Sequence, residues 1–347
     1  MRNFRKVLLV SVVFLLMCGV LALGLAEVYI RSEYAYDEDV KLRRQLAGEI
    51  DYICLGASHV QQALIPSELD QTLGVNSYIL AGGWQSVPIS KILFNTELSR
   101  NPVKEVVIDF TCDTMNATDK DYTMERDLYV LPRFENDLER LSYICSNFNL
   151  RDDKDILVKY MQRAEEYLFK KAQGEKVDNV DYESKGFRGR AGKNMKLKDS
   201  DAAKKHNSGK VNNNWTQENI DCLSEIIRTC HEKDIKVTIA VMPVTQSKIW
   251  RLDGWDVFLQ KLREFSEEND CKMVDFNLLK SRFILLSEET SFSNQDHLSE
   301  KGAKEFTPVF CQIMQQLDAG EDVSNQFYDS YEEMKQHTIY ADMISKN

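Results

Sequence analysis

The sequence predicts an α/β fold, a three-layer α/β/α sandwich around a central parallel sheet of about five strands, behind an N-terminal transmembrane helix. Three observations carry this. Short apolar runs alternate repeatedly with longer segments whose apolar residues recur at helical spacing. The run at 103–110 is apolar on both faces, as a central strand covered by helices must be. Residues 7–26 carry no charge and are almost wholly apolar, and at ~1.5 Å per residue they span a hydrocarbon core of roughly 30 Å.

The composition suits one sizeable core with insertions: 347 residues, 43% hydrophobic and 29% charged, which excludes a disordered chain or a repeat array. A formal net charge of -11 speaks against nucleic acid as a partner, since a duplex binder needs a basic face. The 8 cysteines are scattered, with no CxxC or Cys/His ligand spacing, so neither a metal nor a disulfide framework is indicated. Cys222 and Cys230 lie on one predicted helix, two turns apart and too far to bridge. No organic cofactor is implied.

Taken in order, residues 1–30 form a cytoplasmic stub and membrane helix. Arg2, Arg5 and Lys6 precede the apolar run and Glu27, Glu33, Asp37 and Glu38 follow it, which places the bulk of the chain outside the cytoplasm in a cell membrane. The run is long for a signal peptide, so an uncleaved single-pass anchor is preferred over cleavage near Gly24-Leu25-Ala26. Residues 31–49 read as a polar helical stalk. The α/β domain occupies 50–112 and 214–318, with strands near 51–55, 76–80, 103–110, 235–242 and 272–276. Between its halves lies an insertion, 113–213, holding an amphipathic helix over 154–172 and a basic stretch at 185–210. That stretch reads as a solvated loop or as a contact for an anionic polymer or lipid headgroups. Residues 319–347 are an acidic C-terminal tail, docked or frayed.

Right-handed crossovers in a parallel sheet bring every strand's C-terminal end to one edge, where open α/β proteins bind ligands. The unusual residues fall there. Ser58 follows the first strand, Gly82-Gly83 the second, Asp109-Phe110-Thr111 the third, residues 243–250 the fourth and His297 the fifth. A serine hydroxyl becomes a nucleophile when a base takes its proton, and histidine is the usual base. The developing oxyanion needs N–H donors: the backbone N–H of Ser58 is one, and Gly82 and Gly83 let backbone approach the reacting centre.

Gly56-Ala57-Ser58-His59, the glycines at 82 and 83, and Asn294-Gln295-Asp296-His297-Leu298 with Gly302-Ala303 together resemble the SGNH/GDSL hydrolase superfamily. The likeness covers 50–110 and 215–316, and is to membrane-anchored bacterial members that act beside membrane-bound O-acyltransferases in acylating surface polysaccharides or teichoic acids. The resemblance implies a serine esterase or O-acyltransferase working on acyl groups of a cell-surface glycan through an acyl-serine intermediate. Ser58 would be the nucleophile, His297 the general base, and the N–H groups of Ser58 and Gly83, beside Gly82, the oxyanion hole. A cell-surface polysaccharide or teichoic-acid-like polymer and a membrane-bound O-acyltransferase would be the partners. Where the superfamily carries an aspartate three residues before the histidine, this chain has Asn294, with Asp296 beside His297, so either could orient the imidazole. An asparagine oxygen holds the tautomer but supplies no charge. The third block's oxyanion-hole asparagine has no clear match; Asp109, Thr111 and Asn116 stand in that region. His59, Trp84, Gln85 and Thr111 are candidates to touch substrate. Trp84, Trp250 and Trp255 could stack on sugar rings or pack the core. The alternative from another class is a non-catalytic glycan-binding or scaffolding partner of an O-acyltransferase.

Overall fold

A computed structural model of the chain describes residues 2–32, 34–109, 111–116, 130–147 and 185–343, with isolated positions between 127 and 174. The amphipathic helix expected over 154–172 lies almost wholly outside the described residues. Two compact units divide the chain: residues 1–41 with 120–180, and residues 42–119 with 181–347. The second takes in the basic stretch and the C-terminal segment, which the sequence reading sets apart as insertion and tail.

The first unit holds α1 (Arg2–Ser32) and most of α2 (Tyr34–Gln45). Within α1, Phe4–Leu21 has a mean hydropathy of 2.2 and is wholly exposed. That is long and apolar enough to cross a membrane, and it fits an anchor and a signal sequence alike. Asp39 is buried and accepts from Arg133 at 3.1 Å within the same unit.

In the second unit, β1 (Tyr52–Gly56), β2 (Ser77–Ala81), β3 (Glu105–Asp109), β4 (Lys236–Val241) and β5 (Lys272–Asp275) form one parallel sheet in the order β2-β1-β3-β4-β5. All five positions of β1 and of β2 are buried, because helices cover both faces of the sheet. Its helices include α3 (Ser58–Ala63), α4 (Pro66–Leu73), α5 (Val87–Leu98), α6 (Gln217–Glu232), α7 (Gln246–Arg251), α8 (Trp255–Glu268), α9 (Glu300–Asp318) and α10 (Tyr331–Lys335). α5 packs on α6, while α3 and α4 pack on α9. Phe276 meets Phe306 edge to face at 5.1 Å, in a core shared with Tyr52, Cys54, Ile79 and Val107.

Strand order reverses at β1, so the crevice between β1 and β3 opens at their C-terminal ends, where Ser58 follows Gly56. Gly56 pairs with Asp109, and a Cβ there would stand 2.5 Å from the Asp109 carbonyl oxygen. Gly56→Ala is therefore expected to lower stability by about 1–3 kcal/mol through forced separation of two central strands, read as a lower midpoint in thermal unfolding. An unchanged midpoint would contradict the close approach.

The C-terminal segment is docked. Tyr331 stacks on Trp255 at 5.2 Å and its hydroxyl donates to Asp275 at 2.6 Å, while Tyr340 is buried beside Trp250. Trp250 and Trp255 are thereby core residues, which leaves Trp84 as the exposed tryptophan near the sheet edge.

The basic stretch is not a solvated loop over 185–198. Lys185 accepts from Ile79 of the edge strand at 2.9 Å, and the Arg188 N–H donates to Gln61 at 2.9 Å. Arg190 accepts from Glu300 at 2.8 Å, and Lys193 and Met195 donate to Phe292 and Glu288 at 2.7 Å each. Phe187 packs with Ile65 and Ala303 beneath it. These bonds cover the open edge of β2 and strap the segment across α3 and the start of α9.

Candidate active site

Ser58 is the first residue of α3, following β1 after a single N-cap residue, Ala57. First-turn N–H groups have no partner inside a helix, so this turn must be satisfied from outside. Asp109 at the end of β3 supplies part of that: its carboxylate accepts from the backbone of Val60 and, at 3.2 Å, from Met242. Burial pushes the Asp109 carboxyl up to about 7, against the pull of those two N–H donors.

His297 comes from the loop between residues 292 and 299. Phe292 and Leu298 pair as an antiparallel bridge, and Ser293 donates to the His297 carbonyl at 2.9 Å. Ser299 caps α9 by accepting from Gly302 at 3.1 Å. A Cβ on Gly302 would lie 2.0 Å from the Ser291 carbonyl oxygen, so glycine is what lets the helix start against this loop. The late Gly302-Ala303 pair thus has a packing cause.

These two pieces bring the Ser58 Oγ to 2.6 Å from His297 Nε2. On the other side of the ring, Nδ1 lies 2.8 Å from Asn294 Oδ1. The carboxamide oxygen can only accept, so Nδ1 carries the proton and Nε2 presents its lone pair to the serine hydroxyl. The same Asn294 oxygen accepts from the Asp296 N–H at 2.8 Å, which fixes its direction.

Asp296 does not reach the ring nitrogen. Its carboxylate is held by Lys248, which also lies 3.4 Å from Asp113. Burial would raise the Asp296 carboxyl, but Lys248 outweighs it and holds the group below its ordinary value. For His297, burial pushes the imidazole down to about 4; Asp296 opposes this, and Arg190 and Lys248 add to it. The ring is neutral at physiological pH, the state a general base needs at rest, and among the described residues no carboxylate contacts Nδ1 to stabilise its protonated form.

His59 stacks on His297 with centroids 4.7 Å apart. It is 7% exposed, and neither of its ring nitrogens has a hydrogen-bond partner among the described residues. Burial, with the neighbouring His297 and Lys248, holds it well below its ordinary value, so it too is neutral. A buried polar ring without a partner costs free energy unless something binds it.

The candidates at and after the end of β3 separate clearly. The Thr111 hydroxyl is buried and has no partner among the described residues. Asn116 spends its amide nitrogen on the Asn212 carbonyl at 2.8 Å, and Asp109 braces α3. At the end of β2, Gly82 accepts from Gln85 at 3.2 Å in a tight turn. A Cβ on Gly83 would meet nothing within 4 Å, so this turn opens onto free space. Gln85 is fully buried and its amide donates to Leu80 and Ser90 at 3.0 and 2.9 Å, which makes it a turn brace rather than a substrate contact.

Trp84 is 49% exposed and holds a left-handed backbone at φ 67°. That conformation costs an L-residue ~1–2 kcal/mol. Trp84→Gly is expected to leave the unfolding midpoint unchanged or higher, because glycine adopts this backbone without strain. A lower midpoint would assign the Trp84 side chain to packing.

Lys248 and Arg190 are charged neighbours of His297 that no sequence motif marks, and Arg188 stands next to Arg190. Lys248 lies in α7, in the segment after β4 and 48 residues from Asp296, and only the fold joins them.

No protein-family model and no curated protein matches this sequence. Among solved structures the chain is similar to a candidate acylhydrolase from Bacteroides fragilis, at 9% identity over 80% of this chain and 94% of that one, with a TM-score of 0.37. It is similar to a GDSL-like lipase from Bacteroides thetaiotaomicron at 9% identity, over 81% and 98% of the two chains, with a TM-score of 0.36. The lipase/acylhydrolase from Enterococcus faecalis is similar at 10% identity, over 77% and 96%, with a TM-score of 0.35. By its own geometry, the chain is a parallel α/β protein that sets a serine hydroxyl, an imidazole and a carboxamide in line at the switch point of its sheet.

Proposed function

We propose that this protein is a serine esterase or O-acyltransferase that moves acyl groups on a cell-surface glycan through an acyl-Ser58 intermediate. The observation that carries the reading is the continuous relay from Ser58 Oγ through His297 to Asn294. Ser58 Oγ attacks the ester carbonyl carbon as its proton passes to His297 Nε2, and the negative charge moves to the carbonyl oxygen. The backbone N–H groups of Ser58 and Gly83 and the unpartnered Thr111 hydroxyl are the donors suited to that oxygen. Collapse breaks the ester C–O bond, and the departing alkoxide takes the proton from His297. Water or a sugar hydroxyl then gives its proton to Nε2, attacks the acyl carbon and releases Ser58, which regains a proton from the imidazolium. The orphaned nitrogens of His59 suit a substrate hydroxyl, and Trp84 suits the face of a sugar ring.

The glycan and the extracytoplasmic, anchored placement rest on the resemblance of the Gly56-Ala57-Ser58-His59 block to membrane-anchored acylating proteins. The apolar Phe4–Leu21 window and its basic flank support the same placement. A membrane-bound O-acyltransferase is the natural acyl source in that reading. The scaffolding alternative draws on Asn294, since a relay without a carboxylate would also suit a protein that binds glycan and performs no chemistry.

Rapid mixing of the full-length protein in detergent with p-nitrophenyl acetate tests the proposal. A burst of p-nitrophenol stoichiometric with protein is expected, followed by slow turnover that a polyol acceptor accelerates if transfer exceeds hydrolysis. Absence of both burst and turnover in folded protein would contradict it and favour the scaffold.

A further inference from the structure

The strap over 185–198 carries Arg188, Arg190, Lys193, Lys196 and Lys198 in a chain whose formal net charge is -11. Among the described residues, none of these five side chains meets a carboxylate or any other hydrogen-bonding partner. Most other cations of this unit do. Lys185 is engaged by Asp70, Lys248 by Asp296 and Lys304 by Glu300. A surface that leaves its arginines unpaired while placing them together retains a local positive field.

Their placement is set by backbone bonds rather than by side-chain tethers. The Arg188 N–H donates to Gln61, three residues after Ser58, and the Arg190 carbonyl accepts from Glu300, three residues after His297. Phe187 anchors the segment against Ile65 and Ala303, and Gly189 lies against the Glu300 side chain. Arg190 is thus held at the start of α9, where its charge acts on His297, and Arg188 lies beside the fourth residue of α3, about one turn past Ser58. Two consequences show in the electrostatics. Burial and the neighbouring Arg188 push the Arg190 guanidinium below its ordinary value, and Arg190 in turn disfavours protonation of His297. Holding like charges together is unfavourable in the free protein and is relieved when an anion binds between them.

We propose that Arg188 and Arg190 form an anion subsite beside Ser58 and His297 that takes a phosphate or carboxylate carried by the ester substrate. Lys193, Lys196 and Lys198 continue the positive face along the strap, which suits a substrate with further anionic groups. The inference rests on the esterase reading for its substrate but not for the binding itself.

The test has two arms on the full-length protein in detergent, each comparing the native residues with Arg188→Gln/Arg190→Gln and Arg188→Lys/Arg190→Lys. In the first, inorganic phosphate is titrated by calorimetry in a Ser58→Ala background, so the result is independent of turnover. Phosphate binding that weakens about tenfold or more in the glutamine pair and is largely retained in the lysine pair is expected. In the second, kcat/KM is measured for mono-p-nitrophenyl succinate and for uncharged p-nitrophenyl butyrate. The succinate-to-butyrate ratio is expected to fall about tenfold in the glutamine pair, mainly through KM, and to fall as salt is raised. No phosphate binding by the native strap, or binding unaltered by the glutamine pair, overturns the subsite. Arginine-dependent phosphate binding with an unaltered ester ratio overturns the substrate assignment and leaves a site for free anion. Arginine-dependent binding without any ester turnover keeps the anion site and removes the esterase reading.

Discussion

Ser58→Ala is expected to remove ester turnover by about a thousandfold or more, and His297→Ala is expected to do nearly the same. The hydroxyl and the imidazole lie 2.6 Å apart and in the proposed mechanism act on one proton, so removing either leaves the other without a task. The double variant should therefore be scarcely worse than either single one, the non-additivity expected of residues that work as a unit. Neither change removes a core side chain, so unfolding midpoints should stay close to the native value. Steady-state kinetics with p-nitrophenyl acetate reads all three variants. Additive losses would mean that Ser58 and His297 do not share a proton, and retained turnover in Ser58→Ala would place the chemistry elsewhere.

Asn294→Asp is expected to increase turnover by about tenfold or more and to shift its pH dependence. With asparagine at 2.8 Å from Nδ1, the imidazole is held at about 4 by burial. In the proposed mechanism the neutral ring is the base, so kcat/KM should be flat down to about pH 5 and fall as pH drops through about 4. A carboxylate at the same position favours the imidazolium and raises the histidine's proton affinity. The acid limb should then move up by about one pH unit or more, while the plateau rises because the protonated ring formed during attack is now stabilised by charge. Lys248→Met should move the limb in the same upward direction, because it removes a positive neighbour and frees the Asp296 carboxylate. A limb that stays in place in Asn294→Asp would mean that the Asn294 contact does not control the ring.

The strands were legible because burial on both faces leaves an unmistakable signature: five short apolar runs, each realised as a strand within a residue or two. Ser58 was legible as a residue just past a strand end and His297 as part of the segment leading into the last long helix, and the fold class followed from the alternation. The choice between Asn294 and Asp296 was not, because it depends on Lys248 of α7, far away in sequence, taking the carboxylate. The strap was missed for a different reason. Its docking uses backbone groups of Lys185, Arg188, Arg190 and Lys193, and backbone bonding leaves no pattern in side-chain chemistry. Its charge was visible and its place was not. The C-terminal segment read as an acidic tail because Tyr331, Met334 and Tyr340, which bury it, are few among many polar residues.

Ser58 as a nucleophile activated by His297 is the central claim, and covalent capture tests it most directly. The full-length protein should react with a fluorophosphonate probe, forming a bond from phosphorus to Ser58 Oγ with loss of fluoride, and mass mapping should place the adduct on the peptide containing Gly56-Ala57-Ser58-His59. Labelling should be stoichiometric, should disappear in Ser58→Ala, and should slow sharply in His297→Ala. A folded protein that takes no label, or that carries it on another residue, would contradict the account.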